Sequence, residues 1–257
     1  MTNGRAYDLV IFDWAGTMVD FGCCAPIAAY VEAFARRGVS LAEAAARADM
    51  GIAKVDHVRA LLARPEVAAS WLAAQGHPSD ETDVSALMAD LEPLMRDAAA
   101  MASELIPGVA QAVAELRARG LKIASSTGYT RQMMGPVLLR AAVQGYAPDH
   151  VVCAGETPQG RPSPLMIYKA CAELGVWPLS RVVKVDDSES GIAEGRAAGC
   201  YTVGVAASGN AVGLSLAAFN ALEAEERERR LETARAALLA AGADRVIDTV
   251  ADLPSVL

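Results

Sequence analysis

Leu9-Val10-Ile11-Phe12-Asp13-Trp14-Ala15-Gly16-Thr17 is the stretch on which the reading of this chain turns. Four apolar, β-leaning residues in a row stop at a carboxylate and a turn-forming glycine, the pattern of a strand buried on both faces of a parallel sheet. Asp13 then stands at the carboxyl end of a strand, where open α/β sheets keep their reactive side chains. From Pro26 to Met101 the pattern is nearly continuous alanine-rich helix, broken at Gly38, Gly51, Pro65 and the Gly76 to Asp80 stretch, with no strand among it. Ser40 and Glu43 have the spacing of a capping box for one of these helices.

After Ile106-Pro107-Gly108 the pattern alternates. Helices are predicted over 109–119, 131–144, 165–174 and 192–198, and strands over 121–126, 151–154, 182–185 and 201–205, with a turn at Thr127-Gly128. Pro136 predicts a kink or a late start in the second of these helices. Glu223 to Arg235 carries opposite charges at i,i+4 offsets and reads as a solvated helix, and Arg245-Val246-Ile247 as a last strand. The expectation is an α/β protein: a Rossmann-like parallel-sheet core with an inserted α-helical cap domain. Its expected divisions are 1–21 for the first part of the core, 22–103 for the cap and 104–257 for the rest of the core.

Composition narrows the function. The chain has 257 residues, 53% of them hydrophobic, enough for a substantial core. A net charge of −8 argues against a nucleic-acid backbone or an anionic membrane surface as partner, since both require a basic footprint. The five cysteines, Cys23, Cys24, Cys153, Cys171 and Cys200, are odd in number and lack metal-ligand spacing, which suits reduced thiols in a cytoplasm. No segment reaches the roughly 18 apolar residues of a membrane span.

Asp13, Thr127, Arg161 and the pair Asp186-Asp187 all fall just after predicted strands. Converging carboxylates repel and raise one another's pKa unless a cation neutralises them, and a hard divalent ion, Mg²⁺ by availability, suits oxygen ligands. Thr127, the Gly128 N–H and Arg161 would hold the oxygens of a phosphoryl group. The chemistry these residues suggest is phosphoryl transfer to a carboxylate.

Asp13-Trp14-Ala15-Gly16-Thr17, Ser126-Thr127-Gly128-Tyr129, Gly160-Arg161-Pro162 and Val185-Asp186-Asp187-Ser188 with Gly191 resemble the four motifs of haloacid dehalogenase superfamily hydrolases. Within that superfamily the chain is most similar to the phosphonoacetaldehyde hydrolases. This resemblance runs through Val19-Asp20-Phe21-Gly22, Met50-Gly51, Lys54 to Arg59 and Gly145-Tyr146. It implies C–P bond cleavage in 2-aminoethylphosphonate degradation, with Asp13 as nucleophile forming an aspartyl phosphate and Lys54 forming a Schiff base. It also implies Mg²⁺ bound by Asp13, the Ala15 carbonyl and Asp187, with Asp186 as second choice. Family members differ in that last motif, some carrying glycine at the position of Asp186 and aspartate at that of Gly191.

The superfamily's phosphatases carry a second aspartate two residues after the nucleophile, to protonate the leaving group. Here that position is Ala15, so a leaving group handled differently is favoured over a sugar phosphate. A helix from Met50 to Leu62 would put Met50, His57, Val58 and Leu61 on the face of Lys54, where an apolar setting favours the free amine. By resemblance His57 shuttles protons near the imine, Tyr129 orients it, Cys23 and Met50 line the pocket, and cap helices join a homodimer. Hinges are expected near Phe21 to Ala25 and Ala102 to Pro107. A dehalogenase attacking carbon needs no metal carboxylates, and a catalytically silent binding protein would have lost Asp13 or those carboxylates.

Overall fold

Why Leu9–Phe12 is so uniformly apolar is answered by its place in the sheet: this strand, β1, is paired on both edges and its four residues are buried. The computed structural model describes residues 7–257, so the first six residues of the expected leading core segment lie outside the described residues. β2 (Lys122–Thr130) and β3 (His150–Ala154) extend the sheet to one side of β1. β4 (Val182–Asp186), β5 (Tyr201–Val205) and β6 (Arg245–Ile247) extend it to the other. The order is β3-β2-β1-β4-β5-β6 and every pairing is parallel. Since the chain moves outward first on one side and then on the other, the order reverses at β1, and a crevice opens at the carboxyl ends beside it.

The five helices of the insertion lie between β1 and the rest of the sheet in sequence: α1 (Cys24–Arg36), α2 (Glu43–Ala48), α3 (Lys54–Ala63), α4 (Pro65–Gln75) and α5 (Glu81–Met101). α5 starts at a capping box between Asp80 and Asp83 and packs along α1, where Arg37 pairs with Asp90 at 2.5 Å. Ser40 forms no such box. α2 begins only at Glu43 with Ala42 at its N-cap, so the Ser40 hydroxyl is too far back to reach the first free N–H groups. The outgoing and returning chains meet at the root of the insertion, where Val19 and Leu105 form an antiparallel bridge and the Ile106 N–H donates to the Met18 carbonyl at 2.9 Å.

The sheet is covered on both faces. α8 (Leu165–Leu174) places Met166, Ile167 and Ala170 against Leu9, Ile11 and Val152. On the opposite face α6 (Val109–Ala118) and α7 (Arg131–Val143) join a core that continues from Val10, Phe12 and Ile123 into the insertion through Tyr30, Leu61 and Leu87. Phe12 and Trp14 both pack on the Tyr146 ring, whose hydroxyl lies 2.6 Å from that of Ser125. α9 (Glu189–Ala198), α10 (Leu216–Asn220) and α11 (Ala224–Ala240) complete the chain, and α11 buries only Leu231, Ala234 and Leu238, as a solvated charged helix should. No helix of the described residues is long and apolar enough to cross a membrane.

Two local expectations change. Of the two outcomes expected at Pro136, the late start does not occur: α7 begins at Arg131, where the Thr130 hydroxyl accepts from the Met133 N–H at the first turn. β2 does not turn at Thr127-Gly128 but runs to Thr130, with its register against β3 shifted between Thr127 and Thr130. Since Leu87 is fully buried where the insertion continues the core, Leu87→Ala should cost about 2–5 kcal/mol of stability, read as a lowered urea midpoint.

Candidate active site

β1 pairs with β2 at Phe12–Ser125 and with β4 at Phe12–Val185, so the residues that follow these ends share one small volume. Asp13, Asp186 and Asp187 are all buried, and each offers an oxygen lying within 4.8 Å of the others. Their surroundings differ. The Asp186 carboxylate faces Lys184 at 3.0 Å and Arg161 at 3.3 Å, and accepts from the Ser188 hydroxyl at 2.7 Å and N–H at 3.0 Å. Burial pushes its pKa up, but Arg161 and Lys184 outweigh that and hold it below the ordinary value. Asp13 receives Arg161 Nη2 at 2.8 Å, yet burial and then Asp186 raise it to about 6.

Asp187 has no cationic partner among the described residues. The Asn210 N–H donates to it at 2.7 Å and the Thr17 hydroxyl at 3.4 Å, while burial, Asp13 and Asp186 push its pKa well above the ordinary value. The cluster could hold a metal ion: its donors are hard oxygens, and one carboxylate is left without a countercharge although its two neighbours are partly neutralised. Among the described residues, four buried carboxylates (Asp13, Asp186, Asp187, Glu194) face the buried cations Arg161, Lys184 and Lys54.

Across from the carboxylates lies the Thr127-Gly128-Tyr129 stretch near the end of β2. The Tyr129 N–H donates to the Thr127 hydroxyl at 3.1 Å, and a side chain at Gly128 would come within 2.9 Å of the Ile52 carbonyl, so glycine lets the insertion approach. Gly51, at φ +96°, makes the matching approach on the other side, where a Cβ would stand 2.4 Å from the Ser188 and Ser190 hydroxyls. That turn ends the preceding segment, so α3 begins at Lys54 and not at Met50. Met50 reaches the lysine from the loop instead, its Sδ 4.0 Å from Lys54 Nζ.

Lys54 is 5% exposed, with its Nζ 4.8 Å from the centre of the Tyr129 ring. Burial lowers its pKa to about 8, against the opposing pull of nearby acids including Asp13 and Asp187. One cavity of about 30 Å³ is lined by Asp13, Ala15, Cys23, Met50, Lys54, Thr127, Gly128, Tyr129, Arg161 and Asp187, among others. The structure therefore brings together ten of the twelve positions singled out in the sequence. Asp186 lies behind the wall among its cations. His57 is buried against the Tyr30 ring, 4.4 Å between centroids, with both ring nitrogens unpartnered and burial holding its pKa near 3.

Residues 7–199 match the model of the haloacid dehalogenase-like hydrolases. A phosphonoacetaldehyde hydrolase of Paraburkholderia phytofirmans is 48% identical over 96% of this chain and 93% of its own, and one of Paraburkholderia xenovorans 47% identical over the same shares. This chain belongs to the phosphonoacetaldehyde hydrolases of the haloacid dehalogenase superfamily. The crystal structure of a phosphonoacetaldehyde hydrolase-like protein from Oleispira antarctica superimposes with a TM-score of 0.96 at 41% identity, over 98% of this chain and 91% of that one.

In this chain the sequence reading missed the groups that hold the site from behind. Lys184 Nζ reaches the Ser126 hydroxyl at 2.8 Å and Glu194 at 3.3 Å, while Arg161 Nε reaches Glu194 at 3.0 Å. The signal was present: a lysine inside the apolar run Val182-Val183-Lys184-Val185 has to find a buried anion. Asp20 was also passed over as a functional position. At φ 55° it accepts from the Cys24 and Ala25 N–H groups and so starts α1 at the root of the insertion. Gly191 is explained by Asp186, because a Cβ there would lie 1.9 Å from the Asp186 carboxyl carbon. Gly191→Ala should therefore lower stability by about 1–3 kcal/mol, the cost of overpacking, seen as a fall in Tm.

Proposed function

We propose that this protein hydrolyses phosphonoacetaldehyde to acetaldehyde and phosphate, in 2-aminoethylphosphonate degradation, with Mg²⁺ as its metal. The observation that carries this reading is a buried lysine of lowered pKa in one cavity with Asp13, where the superfamily's phosphatases would need a second acid at Ala15. The free amine of Lys54 adds to the carbonyl carbon and loses water, giving a protonated imine. Asp13 attacks phosphorus, and the C–P electron pair moves toward the imine to leave an enamine, so no bare carbanion forms. Water then hydrolyses the aspartyl phosphate, releasing phosphate and Asp13. Protonation of the enamine carbon and hydrolysis of the imine release acetaldehyde and free Lys54.

Thr127, Gly128 and Arg161 bind the phosphonate oxygens. Tyr129 orients the imine, Cys23 and Met50 bound the substrate, and the neutral His57 relays protons near it. Mg²⁺, held by Asp13, the Ala15 carbonyl and Asp187, with Asp186 the less favoured ligand, would offset charge building on the phosphoryl oxygens. What supports this order is that Asp186 already has Lys184 and Arg161, whereas Asp187 has only neutral donors. The cap closes over the core and joins the two halves of the site, with hinges at Phe21 to Ala25 and Ala102 to Pro107. We also propose a homodimer joined through the cap helices, on the strength of the family resemblance.

Incubation with phosphonoacetaldehyde and Mg²⁺ should yield equal amounts of phosphate and acetaldehyde. Borohydride with acetaldehyde should leave an ethyl group on Lys54, found by peptide mass spectrometry. This labelling should increase as pH rises through about 8 and level off above it, since only the free amine forms the imine. A lysine of ordinary pKa would go on gaining label toward roughly pH 10, and that profile or a different labelled residue would refute the Schiff base. Lys54→Arg should lose C–P cleavage by orders of magnitude, as arginine stays protonated.

Asp187→Asn should weaken Mg²⁺ binding, measured by titration calorimetry, more than Asp186→Asn does. The reverse order would exchange their assignments, and full activity of metal-free protein would remove the metal from the reading.

A further inference from the structure

Arg47 belongs to α2, on the insertion, yet its guanidinium is spent on the core and the hinge. Nη1 donates to the Gly22 carbonyl at 2.9 Å, to the Asn210 side-chain oxygen at 3.1 Å and to the Cys23 carbonyl at 3.4 Å. Nη2 donates to the Gly213 carbonyl at 3.1 Å. Among the described residues no carboxylate pairs with it within 4.0 Å, so a side chain suited to a bidentate anion is used as a fork across four neutral oxygens. Asn210 returns the contact, its amide nitrogen donating to the Arg47 carbonyl at 3.0 Å.

Asn210 also looks the other way. It lies in the loop after β5, and its N–H is the 2.7 Å donor to Asp187. The loop is held tightly on both sides: the Gly22 N–H donates to the Ser208 carbonyl at 2.7 Å, and a side chain at Gly22 would stand 2.0 Å from the Leu214 carbonyl oxygen. A second cavity of about 60 Å³ lies here, lined by Arg47 and Asn210 together with Met50, Asp187 and Ser188, and the last three also line the catalytic cavity. Hinge, insertion and Asp187 thus meet through the Arg47 side chain and through Asn210, whose side chain takes Arg47 and whose backbone N–H takes Asp187.

We propose that Arg47 and Asn210 are positioning residues that latch the insertion onto the loop after β5 and, through the Asn210 N–H, fix the orientation of Asp187. The proposal rests on the proposed function in taking Asp187 as the principal metal ligand. With the latch made, the Asn210 peptide cannot turn away from Asp187 without breaking its two bonds to Arg47. With the latch broken, Asp187 keeps its carboxylate but loses a fixed donor, and the insertion loses its grip on the core beside Gly51. Groups that orient metal ligands in this way are worth about 10–100-fold in metal affinity or activity.

Arg47→Ala and Asn210→Ala should each weaken Mg²⁺ binding in titration calorimetry by about ten-fold or more and reduce kcat more than they raise KM. The double variant should be no worse than the poorer single one, because both remove the same coupled unit. Arg64→Ala, which removes another cation of the insertion that among the described residues pairs only with Asp49 of that insertion, should leave the Mg²⁺ affinity unchanged. Unaltered Mg²⁺ binding in both latch variants, additive losses in the double variant, or an equal loss in Arg64→Ala would each overturn the proposal.

Hydrogen exchange on the metal-free protein separates failure of the latch from failure of the proposed function, since it needs neither Mg²⁺ nor substrate. Exchange at residues 22–25 and 209–213 should accelerate in Arg47→Ala and in Asn210→Ala. Rates equal to those of the unaltered protein would overturn the latch even if phosphonoacetaldehyde is cleaved.

Discussion

Everything in this molecule is arranged around a group of carboxylates removed from water. Asp13, Asp186, Asp187 and Glu194 are desolvated together, and such a concentration of negative charge is tolerable only where buried cations answer it. Arg161 and Lys184 do so for Asp13, Asp186 and Glu194. The parallel sheet makes that density possible, since it ends three adjacent strands at one level. The neutralisation is incomplete at Asp187, which leaves the cluster able to hold a metal ion.

The insertion supplies the opposite condition. Lys54 is set among Met50, Tyr30 and Tyr129, where aromatic faces and a thioether offer an ammonium little of what water does. The pKa values of Asp13, near 6, and Lys54, near 8, have thus moved toward each other from opposite sides, both driven first by burial. At neutral pH Asp13 is largely ionised, and a minority of Lys54 is the free amine.

The core was legible in the sequence because its strands are apolar on both faces, a pattern that needs no partner to be recognised. The helices at 165–174 and strands at 201–205 and 245–247 fall where periodicity and turn residues place them. Boundaries set by tertiary contact were not legible. Gly51 ends a turn because the insertion must approach the serines of the Ser188 turn, and no local propensity announces that. In the site, residues that touch the cavity stood out through their motifs. Arg47, Asn210, Glu194 and Lys184 lie behind it, and Arg47 meets Asn210, Glu194 meets Arg161 and Lys184 meets Ser126 across long stretches of sequence, so only the folded structure pairs them.

The Val19–Leu105 bridge bears on how such a protein could be assembled and altered. Because the chain leaves the sheet and comes back at neighbouring points, the five helices hang from a two-stranded stem. The entropy of closing that long excursion is met by helices that pack mainly on one another, and it grows only slowly with length. Helices of the insertion that stay clear of the sheet can vary in length without altering the strand order, whereas those beside Arg47 and Gly51 touch the loop after β5 and the Ser188 turn. Sheet and stem together form a socket, and over time the reaction performed there could be changed by exchanging what is plugged into it.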